Sequence, residues 1–170
     1  IRLPTALIGP GFDGGGRIDE LVSLVDMPPT LLDAAGIEVT ETMHGRSILP
    51  LVNRTAEDWP AEVFLQISEA QVGRAVRTHK WKYSVSAPEK RGGRDPDSDH
   101  YVEEFLYDLE ADPHELHNLI NYDCYDEVKA VLRERLLRRM EEAGERRPTI
   151  ELAPTHPSGQ RSVRAEEVYQ

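Results

Sequence analysis

Trp81-Lys82-Tyr83-Ser84-Val85 alternates large apolar side chains with hydrophilic ones at a period of two, the pattern of a strand that buries one face. Upstream, Val63, Leu65 and Ile67 alternate with Phe64, Gln66 and Ser68, and residues 73–78 and 105–109 supply two further strand candidates. These segments between residues 60 and 111 predict an antiparallel sheet of about four strands. The stretch 88–99 is polar, rich in Gly and Pro and charged with both signs, which predicts an exposed loop of the kind that carries specificity.

Beyond the sheet the period changes. Between Asp123 and Ala143, Val128, Leu132, Leu136 and Met140 recur on one helical face, with Val131 and Leu137 beside them and Gly144 at the end. A long helix with one apolar stripe can cover one face of the sheet, so the fold class is α+β. Asp112-Pro113-His114-Glu115 has the residues of a capping box and predicts a helical first turn there. After Pro148 the chain is polar and Pro-containing, which predicts a surface arm.

In the other direction, Thr5-Ala6-Leu7-Ile8, stopped by Gly9-Pro10-Gly11, predicts a short buried strand. A Gly-rich turn follows at residues 13–16. Pro28 and Pro29 near the start and Gly36 just past the end of Asp26–Gly36 mark a helix of two or three turns, because proline needs no N–H in the first turn and glycine accepts a left-handed cap.

The 170 residues suit one domain plus part of another, and a start at Ile1 suggests a piece of a longer protein. The opening apolar run is too short for a membrane span or a signal peptide core. With 31 acidic against 20 basic residues, the net charge of −11 argues against nucleic acid as a partner. Cys124 is the one cysteine, which excludes an internal disulfide and any multi-cysteine metal site in a single copy.

Several strings occur together in a telling order. Ile1-Arg2-Leu3-Pro4 with Ile8-Gly9-Pro10-Gly11 precedes the run from Leu21 to Ile37, Leu-Val-Ser-Leu-Val-Asp-Met-Pro-Pro-Thr-Leu-Leu-Asp-Ala-Ala-Gly-Ile, and then Gly45-Arg46-Ser47-Ile48-Leu49-Pro50-Leu51. Arg74-Ala75-Val76-Arg77-Thr78 with Lys82-Tyr83 comes next. Leu106-Tyr107-Asp108-Leu109-Glu110-Ala111-Asp112-Pro113-His114-Glu115 with Asn118-Leu119 closes the series. In this order they resemble the C-terminal end of the type I sulfatases of the alkaline-phosphatase-like superfamily, over roughly residues 1–143.

The resemblance implies that residues 1–52 are the terminal segment of a large α/β domain, 53–147 a C-terminal α+β subdomain and 148–170 a tail. It implies a parent enzyme with a formylglycine nucleophile, matured from Cys or Ser in a Cys/Ser-x-Pro-x-Arg motif, and a divalent cation, commonly calcium, that activates it. The implied partners are the rest of that α/β domain and a small sulfate ester. His44, His79, Arg77 and Lys82 are the candidate residues for the rim of its substrate cleft.

None of the catalytic machinery is found in the chain. Cys124 is followed by Tyr125, Asp126, Glu127 and Val128, with neither proline nor arginine in place. Ser86-Ala87-Pro88 has the spacing, but Lys90 stands where arginine is required, so Ser86 reads as a strand end. His114 and His117 are three apart where the zinc-protease helix needs four, and read as exposed polar residues. Asp97, Asp99 and His100 supply too few oxygens for a hard cation, and Gly14 to Gly16 lack the Gly-Lys-Ser/Thr end of a phosphate loop. The expectation is a C-terminal supporting portion of a sulfatase, with no catalytic residue or metal ligand of its own. The alternatives are part of a phosphoester or phosphonate hydrolase on the same scaffold, and a non-catalytic module that self-associates through exposed docking surface.

Overall fold

The computed structural model describes residues 3–169, so the expectation placed on Ile1 and Arg2 lies outside the described residues. The chain divides into two compact units, residues 1–61 and 62–170.

In the first unit a single 3-10 turn, Leu24–Asp26, leads into helix α1, Met27–Ala34, with Pro28 and Pro29 in its first turn. Gly36 follows at φ +71°, and the Ile37 N–H reaches back to the Leu32 carbonyl (2.9 Å), the left-handed cap that glycine permits. Helix α2 is a single turn, Leu49–Val52. The buried Asp26 carboxylate accepts the backbone N–H groups of Ser23 (2.8 Å) and Arg46 (3.0 Å). Thr30, fully buried, donates to the Asp26 carbonyl (2.6 Å) and accepts the Ile48 N–H (3.0 Å). Two side chains of the Asp-Met-Pro-Pro-Thr string thus hold the distant Gly-Arg-Ser-Ile segment against α1. Gly45 makes that approach feasible, since a Cβ there would lie 2.0 Å from the Val25 carbonyl oxygen.

Thr5–Ile8 is not a strand, and Ile8 is 96% exposed. A strand exists only through its ladder, and among the described residues of this unit no second strand offers one.

The second unit carries a five-stranded mixed sheet in the order β1-β2-β3-β4-β5: Glu62–Ile67, Gly73–Thr78, Trp81–Ser86, His100–Asp108 and Thr149–Glu151. The first four strands are antiparallel neighbours, and β5 joins β4 in parallel. Helix α3, Asp126–Glu142, follows a 3-10 turn at Asp123–Tyr125 and lays Val128, Leu132, Leu136 and Met140 against Val76, Tyr83, Val85 and Leu106, all essentially inaccessible to water. The expected α+β class holds, and the count of about four strands becomes five. Residues 149–168 are not a free arm: β5 extends the sheet, Ala153 and Val168 are buried, and Val163 packs against the core.

Residues 112–117 form a turn rather than the predicted helical one. Glu115 has φ +57°, in the left-handed region, which no right-handed helix can incorporate. Asp112 still caps, accepting the His117 N–H (2.7 Å). The loop 88–99 is mostly exposed, as its composition predicts, yet it is tied down: the buried Arg74 guanidinium donates to the Pro96 carbonyl (3.0 Å), and the Gly93 N–H donates to the Ser68 carbonyl (2.8 Å).

Candidate functional site

Strand register decides which polar side chains share a face. On the face of the sheet opposite α3, Val63, Arg77, Lys82 and Tyr107 pair directly across β1 to β4, and Leu65, Ala75, Ser84 and Phe105 form the adjacent row. Arg77 and Lys82 are therefore next to each other on one surface although both lie in strands whose alternate residues build the core. The Lys82 ammonium forms an ion pair with Glu115 and sits 5.5 Å from the Tyr107 ring centroid, a cation–π contact. Tyr107 in turn stacks on Phe105, with centroids 5.7 Å apart and planes 15° from parallel.

Electrostatics around this row are mixed. Burial pushes the Tyr107 hydroxyl pKa up, and the carboxylates of Glu115, Asp112 and Glu104 add to it, so the phenol stays a neutral donor. Desolvation also pushes Asp112 up, but the N–H groups of His117 and Leu116 outweigh it and hold that carboxyl below its usual range. Two cations beside a phenol can hold an anionic oxygen group, with part of the Lys82 charge already compensated by Glu115.

His79 is exposed at the tip of the β2–β3 hairpin, where the Thr78 hydroxyl accepts the Trp81 N–H (2.8 Å). Its neighbour Lys80 lies 5.5 Å from the Trp81 ring centroid and 3.7 Å from Glu110. Arg77, His79 and Lys82 thus gather at one end of one hairpin. His44 is exposed in the first unit, just before Gly45. Tyr107 and Glu115 were not among the site residues that the sequence singled out; alternation along 81–85 and 105–109 puts Lys82 opposite Trp81 and Tyr107 opposite Leu106, and that is the usable signal.

The remaining candidates have structural positions. Cys124 is buried, and its carbonyl accepts the Val163 N–H (2.8 Å). Ser86 ends β3, paired with Gly73 and Val102. His117 is largely exposed beside Asp112 (3.5 Å), and His100 lies 3.6 Å from Glu151. Among the described residues no three His, Cys, Asp or Glu side chains come together in a way that could hold a metal ion. The donor set does not fit the divalent cation implied for the parent enzyme, and no catalytic step is assigned to these residues.

A mixed sheet built on an antiparallel meander and covered by one long helix is an α+β architecture that matches the C-terminal domains of sulfatases. The chain belongs to the family of N-sulphoglucosamine sulphohydrolase C-terminal domains, whose model matches residues 1–142. It is 33% identical over 133 residues to arylsulfatase K of Gallus gallus, covering 69% of this chain and 22% of that protein. The chain therefore spans about a fifth of the length of this curated relative. Among solved structures it resembles a protein crystallised with its substrate D-glucosamine-2-N,6-O-disulfate (TM-score 0.58, 23% identity, 70% of this chain and 24% of the other). It also resembles a phosphonate monoester hydrolase from Silicibacter pomeroyi (TM-score 0.53, 21% identity, 68% and 24%). At these identities the two structures speak for the fold alone. No helix among the described residues is long and apolar enough to cross a membrane.

Proposed function

We propose that the chain is the C-terminal supporting portion of a sulfuric ester hydrolase, and that it lines one side of the substrate cleft while the nucleophile and metal ligands come from the rest of the parent enzyme. The observation that carries this reading is the family match across residues 1–142, which contains both the Asp26–Thr30 lock and the hairpin bearing Arg77, His79 and Lys82. On this reading Arg77, His79, Lys82 and His44 stand at the cleft rim, where cations favour an anionic ester over a neutral one. The parent enzyme carries formylglycine and a divalent cation, commonly calcium, which supply the nucleophile and the charge neutralisation. Leu24, Val25, Leu31 and Ile37, each more than half exposed in the first unit, suit burial against the larger domain.

The test has two arms. The isolated chain with calcium should turn over no aryl sulfate; authentic turnover, with contamination excluded, would place the machinery within residues 1–170 and overturn the reading. In the full-length parent, Arg77→Ala and His79→Ala should raise KM for a sulfate ester by about three- to thirtyfold with a smaller change in kcat, and unchanged KM in both would remove these residues from the cleft. A phosphonate or phosphoester hydrolase remains the second reading, supported by the fold shared with the phosphonate monoester hydrolase. Comparing sulfate and phosphonate esters on the full-length parent distinguishes the two.

A further inference from the structure

The two sides of the sheet end differently: β1 is the edge strand on one, and on the other β4 is followed by the three-residue β5. The side of β4 away from β3 is occupied by β5 and, beyond it, by loop groups. Thr149–Glu151 pairs in parallel with residues 100–102, and the Ala153 N–H donates to the Glu103 carboxylate (3.0 Å). The Asn118 side chain then imitates a neighbouring strand: its oxygen accepts the Leu106 N–H (3.0 Å) and its amide donates to the Glu104 carbonyl (2.9 Å), while the Leu119 N–H donates to the Leu106 carbonyl (2.8 Å). Among the described residues of the second unit nothing comparable covers β1. Among the described residues of the second unit, the one hydrogen bond ending on the β1 backbone from outside the β1–β2 ladder is that of the Arg74 guanidinium to the Ile67 carbonyl (3.3 Å).

The β1 sequence, Glu-Val-Phe-Leu-Gln-Ile, also lacks the devices that keep edges apart: it has no lysine, no proline and no bulge. Its single charge, Glu62, is 7% exposed and engaged by Arg138 and by Arg135 (3.5 Å), so it projects little repulsion outward. Ile67 is 42% exposed at the far end.

We propose that the β1 edge is an interface at which a second copy of this chain adds its own β1 antiparallel, making one continuous sheet across a two-fold axis perpendicular to it. Such an axis keeps α3 of both copies on the same side, which requires face-matched pairing. Centred on Phe64, it sets Phe64 opposite Phe64, Val63 opposite Leu65 and Glu62 opposite Gln66. Each direct pair joins compatible chemistry, aromatic with aromatic, aliphatic with aliphatic, and carboxylate with amide.

Sedimentation velocity on the intact 170-residue chain tests this directly. The mass should rise from 19.2 kDa toward twice that value over about a hundredfold increase in concentration. Leu65→Lys, which sets an ammonium against Val63 of the second copy, should raise the dissociation constant at least about tenfold with unchanged far-UV circular dichroism. A monomer throughout overturns the proposal. So does a dimer indifferent to Leu65→Lys, which would move the contact elsewhere, for example to the exposed Leu24 and Leu31. Should Leu65→Lys fail to fold, amide exchange on the unmodified chain decides: β1 amides must slow selectively as concentration rises, and concentration-independent exchange refutes the interface.

Discussion

Replacing Glu103 by alanine should cost the second unit about 3–5 kcal/mol, the range for breaking a buried, hydrogen-bonded ion pair from one side. The Glu103 carboxylate is 5% exposed and serves three donors: the Tyr83 hydroxyl (2.9 Å), the Arg133 guanidinium (3.0 Å) and the Ala153 N–H (3.0 Å). Alanine leaves all three without their acceptor, and Tyr83 cannot turn to water because it is completely buried. Burial, followed by the Glu103 charge, already pushes the Tyr83 hydroxyl pKa far up, so the phenol cannot respond by ionising. Glu103→Gln keeps the shape and one acceptor oxygen and should cost less, about 2 kcal/mol. Urea unfolding followed by Trp81 fluorescence, in a Trp59→Phe background that leaves a single tryptophan, reads the unit that contains the carboxylate. With an m-value of about 2 kcal/mol/M, Glu103→Ala should move the midpoint down by about 2 M. A shift corresponding to less than about 1 kcal/mol at unchanged m would refute the view that this carboxylate fastens β5 and α3 to the sheet.

Gly45→Ala should unfold or severely loosen the first unit, because the added Cβ would stand 2.0 Å from the Val25 carbonyl oxygen and backbone cannot yield as a side chain can; Trp59 fluorescence should report a loss of at least about 3 kcal/mol. At Glu115, held at φ +57°, glycine relieves the left-handed strain while alanine keeps it, and both lose the ion pair with Lys82. Glu115→Gly should therefore be more stable than Glu115→Ala by about 1 kcal/mol in urea titrations, and the reverse order would contradict the assigned backbone geometry. Glu167 has its pKa lowered from 4.5 to about 2, first by the Arg161 guanidinium and then by the Arg164 N–H. A depressed folded pKa gives stabilisation that is present above pH 4.5 and lost as pH falls toward 2, so exchange of the amides in residues 161–168 should accelerate in that window, and Glu167→Gln should abolish the effect.

Much of the architecture was written in local pattern. Strand β3 follows from alternation and α3 from its stripe of Val128, Leu132, Leu136 and Met140, because burial of one face imposes those periods. Strand β1 alternates too, but Phe64 faces the core while Val63 and Leu65 lie on the face opposite α3; β2 falls on the candidate 73–78, and β4 starts at His100, five residues before the candidate 105–109. The prolines and Gly36 marked α1 for the same kind of local reason. Spacing also argued against Cys124 and Ser86 as nucleophiles, since neither is followed by both the proline and the arginine of the maturation motif.

What the sequence could not supply was partnership between distant segments. Thr149–Ile150–Glu151 is too short to show a period and becomes a strand because β4 has an edge to complete, whereas Thr5–Ile8 looks strand-like and has no ladder to join. Asp112–Glu115 has the residues of a helix cap, but the left-handed turn at Glu115 aims its carboxylate at Lys82 instead. The grouping of Arg77, Lys82 and Tyr107, the threading of Glu103 between Tyr83, Arg133 and Ala153, and the contrast between the occupied outer side of β4 and the β1 edge all depend on register. Period fixes which face a side chain takes; only the completed pairing of strands and tail decides what stands beside it.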